Sequence, residues 1–219
     1  MPAEFEYTVR RSARARRVRV RVDLERGVEV LLPTRTPERA AAAAVAELRP
    51  WIERRLEEVS AVRFRLAERA GWLPYLDERL AVVPQAGRTR VHRRGAELLV
   101  PAGEAARPAL ERWYRRAARD EVAGRLDRAT GAVGLGYAGL SIRGQRTRWA
   151  SCAADGAMSF NWRLLLAPED VLDYVVWHEV CHLEVADHSP RFWALVEARC
   201  PDWREPAAWL RRHGQELVI

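Results

Sequence analysis

The sequence has no lysine: all 37 of its basic side chains are arginine. Cysteine is scarce too. The three present, Cys152, Cys181 and Cys200, are odd in number and show no C-x-x-C spacing, which excludes a disulfide framework and a cysteine zinc site. No apolar run is long enough to cross a bilayer, so no membrane partner is expected. The start, MPAEFEYTVRR, has acids early and no apolar stretch. No signal peptide is expected from it, and the expected location is cytoplasmic.

What is there suits a soluble globular protein: 219 residues, 48% hydrophobic and 31% charged. That length buries a core without staples and fits one or two domains. The net charge is +7 and the pI about 10.1. A coding sequence rich in G and C accounts for abundant arginine and alanine. Arginine forks also match phosphate, so a nucleotide or nucleic-acid partner stays open.

Residues 5–32 read as a small antiparallel sheet. Arg17-Val18-Arg19-Val20-Arg21-Val22 alternates strictly, placing valines on one face and arginines on the other, and Val28–Leu32 follows Gly27 as a second apolar run. Arg10 to Arg21 reads either as the solvated face of a half-buried strand or as a nucleic-acid patch; which residues would touch nucleic acid is unknown from sequence. Thr36-Pro37-Glu38 starts a helix expected over 36–66, with a kink or break at Pro50. Short strands fill 72–101, and a long helix spans about 105–130. A strand pair at 147–152 and 157–162 follows a strand at 140–143. Three helical segments, near 168–185, 190–199 and 203–213, complete the chain. The expected class is α+β, with a β-rich N-terminal region at 1–104 and a second domain at 105–219.

His178-Glu179-Val180-Cys181-His182 fits H-E-x-x-H. Residues four apart share a helix face, so both imidazoles can reach one metal ion. Glu179 lies beside the first histidine and can approach a metal-activated water as general base. Pro168, Glu169 and Asp170 suit the start of a helix, and its valines and leucines make it apolar over much of its surface. With five histidines in 219 residues, composition alone yields about 0.01 such matches. A catalytic zinc usually has a third protein ligand. His188 is the choice, placed before Ser189-Pro190, an N-cap and first helical residue; Glu197 and Glu205 are the alternatives. The spacing equals that of the metzincins, yet Val185 stands where they need glycine, and the only methionines are Met1 and Met158, so there is no Met-turn.

Arg148-Trp149-Ala150-Ser151-Cys152, Asn161-Trp162-Arg163-Leu164, Tyr174 to His182 and His188-Ser189-Pro190-Arg191-Phe192-Trp193 together resemble the YgjP-like metallopeptidases, relatives of the SprT-like and WLM zinc proteases. The arginine-rich first strands, Leu73-Pro74-Tyr75-Leu76 and Trp113-Tyr114-Arg115 extend the likeness over nearly the whole chain. Ala150 departs from the glycine usual in that family, and Trp177 from an aliphatic residue. The resemblance implies a zincin-like C-terminal domain whose active-site helix packs on a small antiparallel sheet. It implies one Zn2+ on His178, His182 and His188, with Glu179 as catalytic acid/base.

The expected function is therefore a zinc-dependent metallopeptidase acting on protein or peptide through Glu179-assisted attack of zinc-bound water. Two alternatives are a zinc-dependent nucleoside triphosphate pyrophosphohydrolase and a nucleic-acid-associated protein, including a protease of DNA-bound proteins. Tyr174, four residues before His178, is a candidate oxyanion donor or a packed aromatic. Arg148 and Asn161 are candidates for positioning substrate or supporting the ligands. Cys181 points away from the ligand face, and Trp193, Trp203 and Trp209 are expected to cap the core. The oligomeric state is not legible in the sequence.

Overall fold

Alternating apolar residues decide which face a strand buries, and the first fifty residues show the result. The computed structural model describes residues 5–24, 26–145 and 148–219. It divides into two compact units, up to Ala70 and from Gly71 onward.

In the first unit, β1 (Tyr7–Ser12), β2 (Arg19–Asp23) and β3 (Gly27–Pro33) form a sheet in the order β1-β3-β2. β2 and β3 are an antiparallel hairpin turning at Gly27, whose φ of 69° suits glycine. β1 runs parallel to β3, pairing Val9 with Val30. The sheet is thus mixed, not antiparallel as expected. Alternation could not reveal this, because reversing a strand keeps its faces. Val28, Val30 and Leu32 bury against Ala41, Val45 and Ile52 of two helices, α1 (Arg39–Glu47) and α2 (Arg49–Ala67). The helix expected over 36–66 with a kink or break at Pro50 is thus broken into two just before that proline. Pro50 occupies the first turn of α2 and has no N–H to continue α1. Thr36 does not cap: Glu38 is the N-cap of α1, with no side-chain cap bond.

The second unit begins with β4 (Trp72–Tyr75), β5 (Glu78–Gln85), β6 (His92–Arg94) and β7 (Glu97–Pro101), a sheet in the order β4-β5-β7-β6. By sequence these strands are expected with the N-terminal region, before a boundary near 105. In the structure Leu80, Leu98 and Val100 share a core with Leu110, Tyr114 and Leu126 of α3 (Ala106–Ala132). The Tyr114 hydroxyl donates to the Pro74 carbonyl at 2.6 Å.

Next come β8 (Gly139–Arg143), β9 (Ala150–Cys152) and β10 (Ala157–Asn161), in the order β8-β10-β9. β10 is antiparallel to β9 but parallel to β8, so this sheet too is mixed where an antiparallel one was expected. Helices α4 (Glu169–Cys181), α5 (Pro190–Arg199) and α6 (Arg204–His213) close the unit. Val171, Leu172, Val175, Val176 and Val180 of α4 are buried in the same core. Arg125 of α3, 6% exposed, donates to Asp173 of α4 at 2.8 Å and also bonds Glu169 and Glu121, fastening α3 to the start of α4. Among the described residues no helix is long and apolar enough to cross a membrane.

Candidate metal centre

Because four residues make just over one helical turn, α4 presents His178 and His182 on one side. The helix ends at Cys181, earlier than the expected 185, but His182 keeps helical φ and ψ of −68° and −17° as its C-cap. The chain then tightens: Glu184 and Val185 both donate backbone N–H groups to the Cys181 carbonyl, at 3.1 and 3.0 Å. Ser189 is the N-cap residue of α5, with no side-chain cap bond, and Pro190 opens the helix. The Asp187 carboxylate accepts from the Ser189 backbone N–H at 3.1 Å. This short turn brings His188 back beside the helix.

One nitrogen from each of His178, His182 and His188 lies within 4.8 Å of the others. The Nε2 atoms of His178 and His188 are 3.0 Å apart. Two nitrogens about 2.0–2.1 Å from a tetrahedral zinc stand roughly 3.4 Å apart, so this pair is close to a ligand edge. His182 Nδ1 lies 3.0 Å from the Val185 carbonyl, which fixes that ring with Nε2 turned away, the arrangement that orients a histidine ligand. All three rings pack on Phe192, which is fully buried: His182 stacks on it at 4.4 Å, and His178 and His188 meet it edge-on at 4.9 and 4.8 Å. Burial, then the neighbouring His182 and His188, brings the His178 imidazole down to about 4. It is neutral at neutral pH, with a lone pair free to ligate.

Glu179 is 6% exposed. Burial pushes its carboxyl up to about 7, against the pull of a hydrogen bond from the Cys152 backbone. Its Oε2 and the His178 Nδ1 are buried with no hydrogen-bond partner. Such atoms cost about 1–3 kcal/mol each. The unpartnered Glu179 Oε2 beside a cluster of three imidazoles fits a site built for a cation and a water.

A cleft of about 390 Å³ opens over these groups, lined on the other side by Arg148 and by the small side chains of residues 150–154. Its two walls are thus α4 with the following turn, and β9 with the chain just beyond it. Asn161, 3% exposed, does not reach the histidines. Its amide donates to the carbonyls of Gln145 and Arg148 at 2.6 and 3.2 Å, and its oxygen accepts from the Arg163 N–H at 3.2 Å, so it holds the segment that carries Arg148. Tyr174 is not among the cleft's lining residues; it meets His178 edge-on at 5.8 Å and stacks on Trp203 at 6.3 Å. Glu197 is engaged by Trp203 Nε1 at 2.7 Å and Arg204 at 2.8 Å, and neither it nor Glu205 joins the histidine cluster among the described residues. Cys181 is buried and takes a contact from Arg199 at 3.7 Å, away from the histidines.

Phe192, Trp193 and the Cys152 backbone had no place in the sequence-based site. The first two carry a readable signal, since Pro190 opens a helix whose first turn, with Phe192 and Trp193, lies next to His188 in the chain. The Cys152 contact depends on how β9 meets α4, which no local pattern reports.

The sequence profile of the family described as YgjP-like, metallopeptidase domain, matches residues 16–213. No curated protein matches the chain. Among solved structures, the metallopeptidase zymogen of Pyrococcus abyssi abylysin is similar over 41% of this chain and 93% of its own, at 23% identity and a TM-score of 0.35, a likeness too partial to bear on the chemistry. With a match spanning nearly its whole length, and a histidine cluster beside a buried glutamate in its cleft, this chain belongs to the YgjP-like metallopeptidase family.

Proposed function

We propose that this protein is a zinc peptidase in which His178, His182 and His188 hold one Zn2+ and Glu179 is the general base. The observation that carries this is the convergence of three imidazole nitrogens within 4.8 Å, next to a buried carboxylate oxygen with no partner of its own. A zinc ion supplies Lewis acidity, polarising a carbonyl and bringing a water's pKa toward ~7.

The protein's own groups supply the rest. Val185 fixes His182 through Nδ1, and Phe192 supports all three rings. The Cys152 backbone fixes one side of the Glu179 carboxylate and leaves Oε2 to accept a proton from the attacking water, then return it to the leaving amine. Among the described residues β9 pairs with β10 on one side only. Its other edge offers backbone groups to an extended peptide, the mode in which a strand adds to a sheet. Ala150, Ser151, Cys152, Ala153 and Ala154 keep that wall low enough for a chain to lie along it. Arg148 at the rim is placed to orient a substrate carbonyl or carboxylate, with Asn161 holding its backbone.

The test is a screen of the zinc-loaded protein and Glu179→Gln against unstructured peptides and nucleoside triphosphates. The expected result is peptide cleavage that falls about 10²–10⁴-fold in the variant, with zinc content unchanged. A protein that neither carries nor takes up zinc, or that hydrolyses triphosphates and no peptide, overturns the reading.

A further inference from the structure

Seven arginines and no acid occupy residues 10–21. Two of the seven are engaged within the fold. Arg10 donates to Glu29 at 3.0 Å, and Arg11 donates to the carbonyls of Thr34 and Thr36 at 3.0 and 2.8 Å. The other five, Arg14, Arg16, Arg17, Arg19 and Arg21, are exposed. Among the described residues none of these five guanidiniums has a carboxylate or carbonyl partner.

The sheet register shows how they are displayed. Val9, Val20, Val22, Val28 and Val30 belong to the core against α1 and α2. Arg19 and Arg21 therefore stand on the opposite face, in the rows Arg10–Leu31–Arg19 and Thr8–Glu29–Arg21. Glu29, the acid in the middle of that face, is taken by Arg10 and lies 3.8 Å from Arg26. Arg14, Arg16 and Arg17 continue the positive surface along the β1–β2 connection.

Protection of a sheet edge is the plainer use of such charges. That use is served by either sign and only along the strands. Here residues 10–21 carry one sign only, and three of the five lie off the ladder. Crowded like charges also lower stability through self-repulsion, a cost that a polyanion would relieve.

We infer that this face of the first unit binds the phosphate backbone of nucleic acid. Residues two apart along a strand are spaced about 6.8 Å, and each strand of a duplex presents a phosphate every ~3.4 Å of helix axis. Arg19 and Arg21 can therefore engage different phosphates, each with the bidentate geometry arginine forms with phosphate. Contacts to phosphate carry no sequence information, so the binding proposed is independent of sequence.

The test is binding of the full-length protein to a fluorescent DNA duplex and to the single strand over roughly 50–200 mM salt. The charge-matched variants are Arg16→Gln/Arg19→Gln/Arg21→Gln on this face and Arg112→Gln/Arg116→Gln/Arg212→Gln in the second unit. Wild type is expected to bind with affinity falling steeply as salt rises. The first variant should bind on the order of 10–100-fold more weakly at low salt, with a log–log slope on duplex shallower by up to about 2.7; the second should match wild type. Duplex and single-strand arms distinguish the two forms, and binding of either supports the inference. It is overturned if neither form binds at the lowest salt, if both variants lose affinity equally, or if phosphatidylserine vesicles bind more tightly than both nucleic acids. No step of the test depends on turnover, so it stands or falls apart from the peptidase reading.

Discussion

Trp193 lies against His188, with ring centroids 5.8 Å apart and planes 30° from parallel. His188 sits on an exposed turn, unlike the half-buried His178 and His182. Trp193 is itself stacked on Trp203 at 4.6 Å, and Trp203 is anchored through Nε1 to Glu197 and covered by Arg204 at 4.9 Å. Side chains from α5 and the start of α6 thus orient a ring that its own backbone leaves free.

Trp193→Ala is therefore expected to weaken zinc binding by about 10–100-fold, the usual range for losing a partner that orients a ligand, while Trp193→Phe keeps most of the affinity. Chelator competition measures this, and the d–d spectrum of the cobalt-substituted protein reports the geometry directly. Unchanged affinity and spectrum in the alanine variant would sink the role assigned to Trp193.

Arg125 is the buried member of a cluster whose three carboxylates are each about a third to a half exposed. Removing the arginine leaves those acids next to one another but partly hydrated. Arg125→Ala is expected to cost about 1–3 kcal/mol, less than the loss of a partner to a fully buried charge. Denaturant unfolding measures it. Because Glu169 and Asp173 belong to α4, the variant should also lose zinc more readily; a normal unfolding midpoint would show that the cluster adds nothing to the fold.

Tyr114 is fully buried, and burial holds its phenol well above the ordinary value of 10. The folded state therefore keeps a proton that the unfolded chain releases above pH ~10. Fewer protons bound in the unfolded state means stability falls as pH rises, by about 1.4 kcal/mol per pH unit from this group, with the full contribution present below pH ~10. Tyr114→Phe loses the bond to Pro74, about 1 kcal/mol at neutral pH, and should decline less steeply above pH ~10. Urea titrations at neutral and alkaline pH test this; an equal alkaline slope in both proteins would assign the decline to other groups.

The reach of sequence reasoning follows the range of the forces involved. H-E-x-x-H could be placed on a helix because helical periodicity is local, and Pro50 marked the end of α1 because proline lacks a donor wherever it falls. The α+β class followed from the same short-range patterns. Strand direction did not: β1 parallel to β3, and β8 parallel to β10, keep the alternation that antiparallel pairing would show.

By itself, then, the sequence determined two imidazoles and a carboxylate on one turn of helix, an arginine-faced strand, and the likeness to a metallopeptidase family. The tertiary structure decided that His188 closes on His178 to 3.0 Å, that Phe192 supports three rings at once, and that the Cys152 backbone meets Glu179. These depend on where a turn and a second helix come to rest. That is set by the summed packing of α4, α5 and the β8–β10 sheet, not by the periodicity of any one segment.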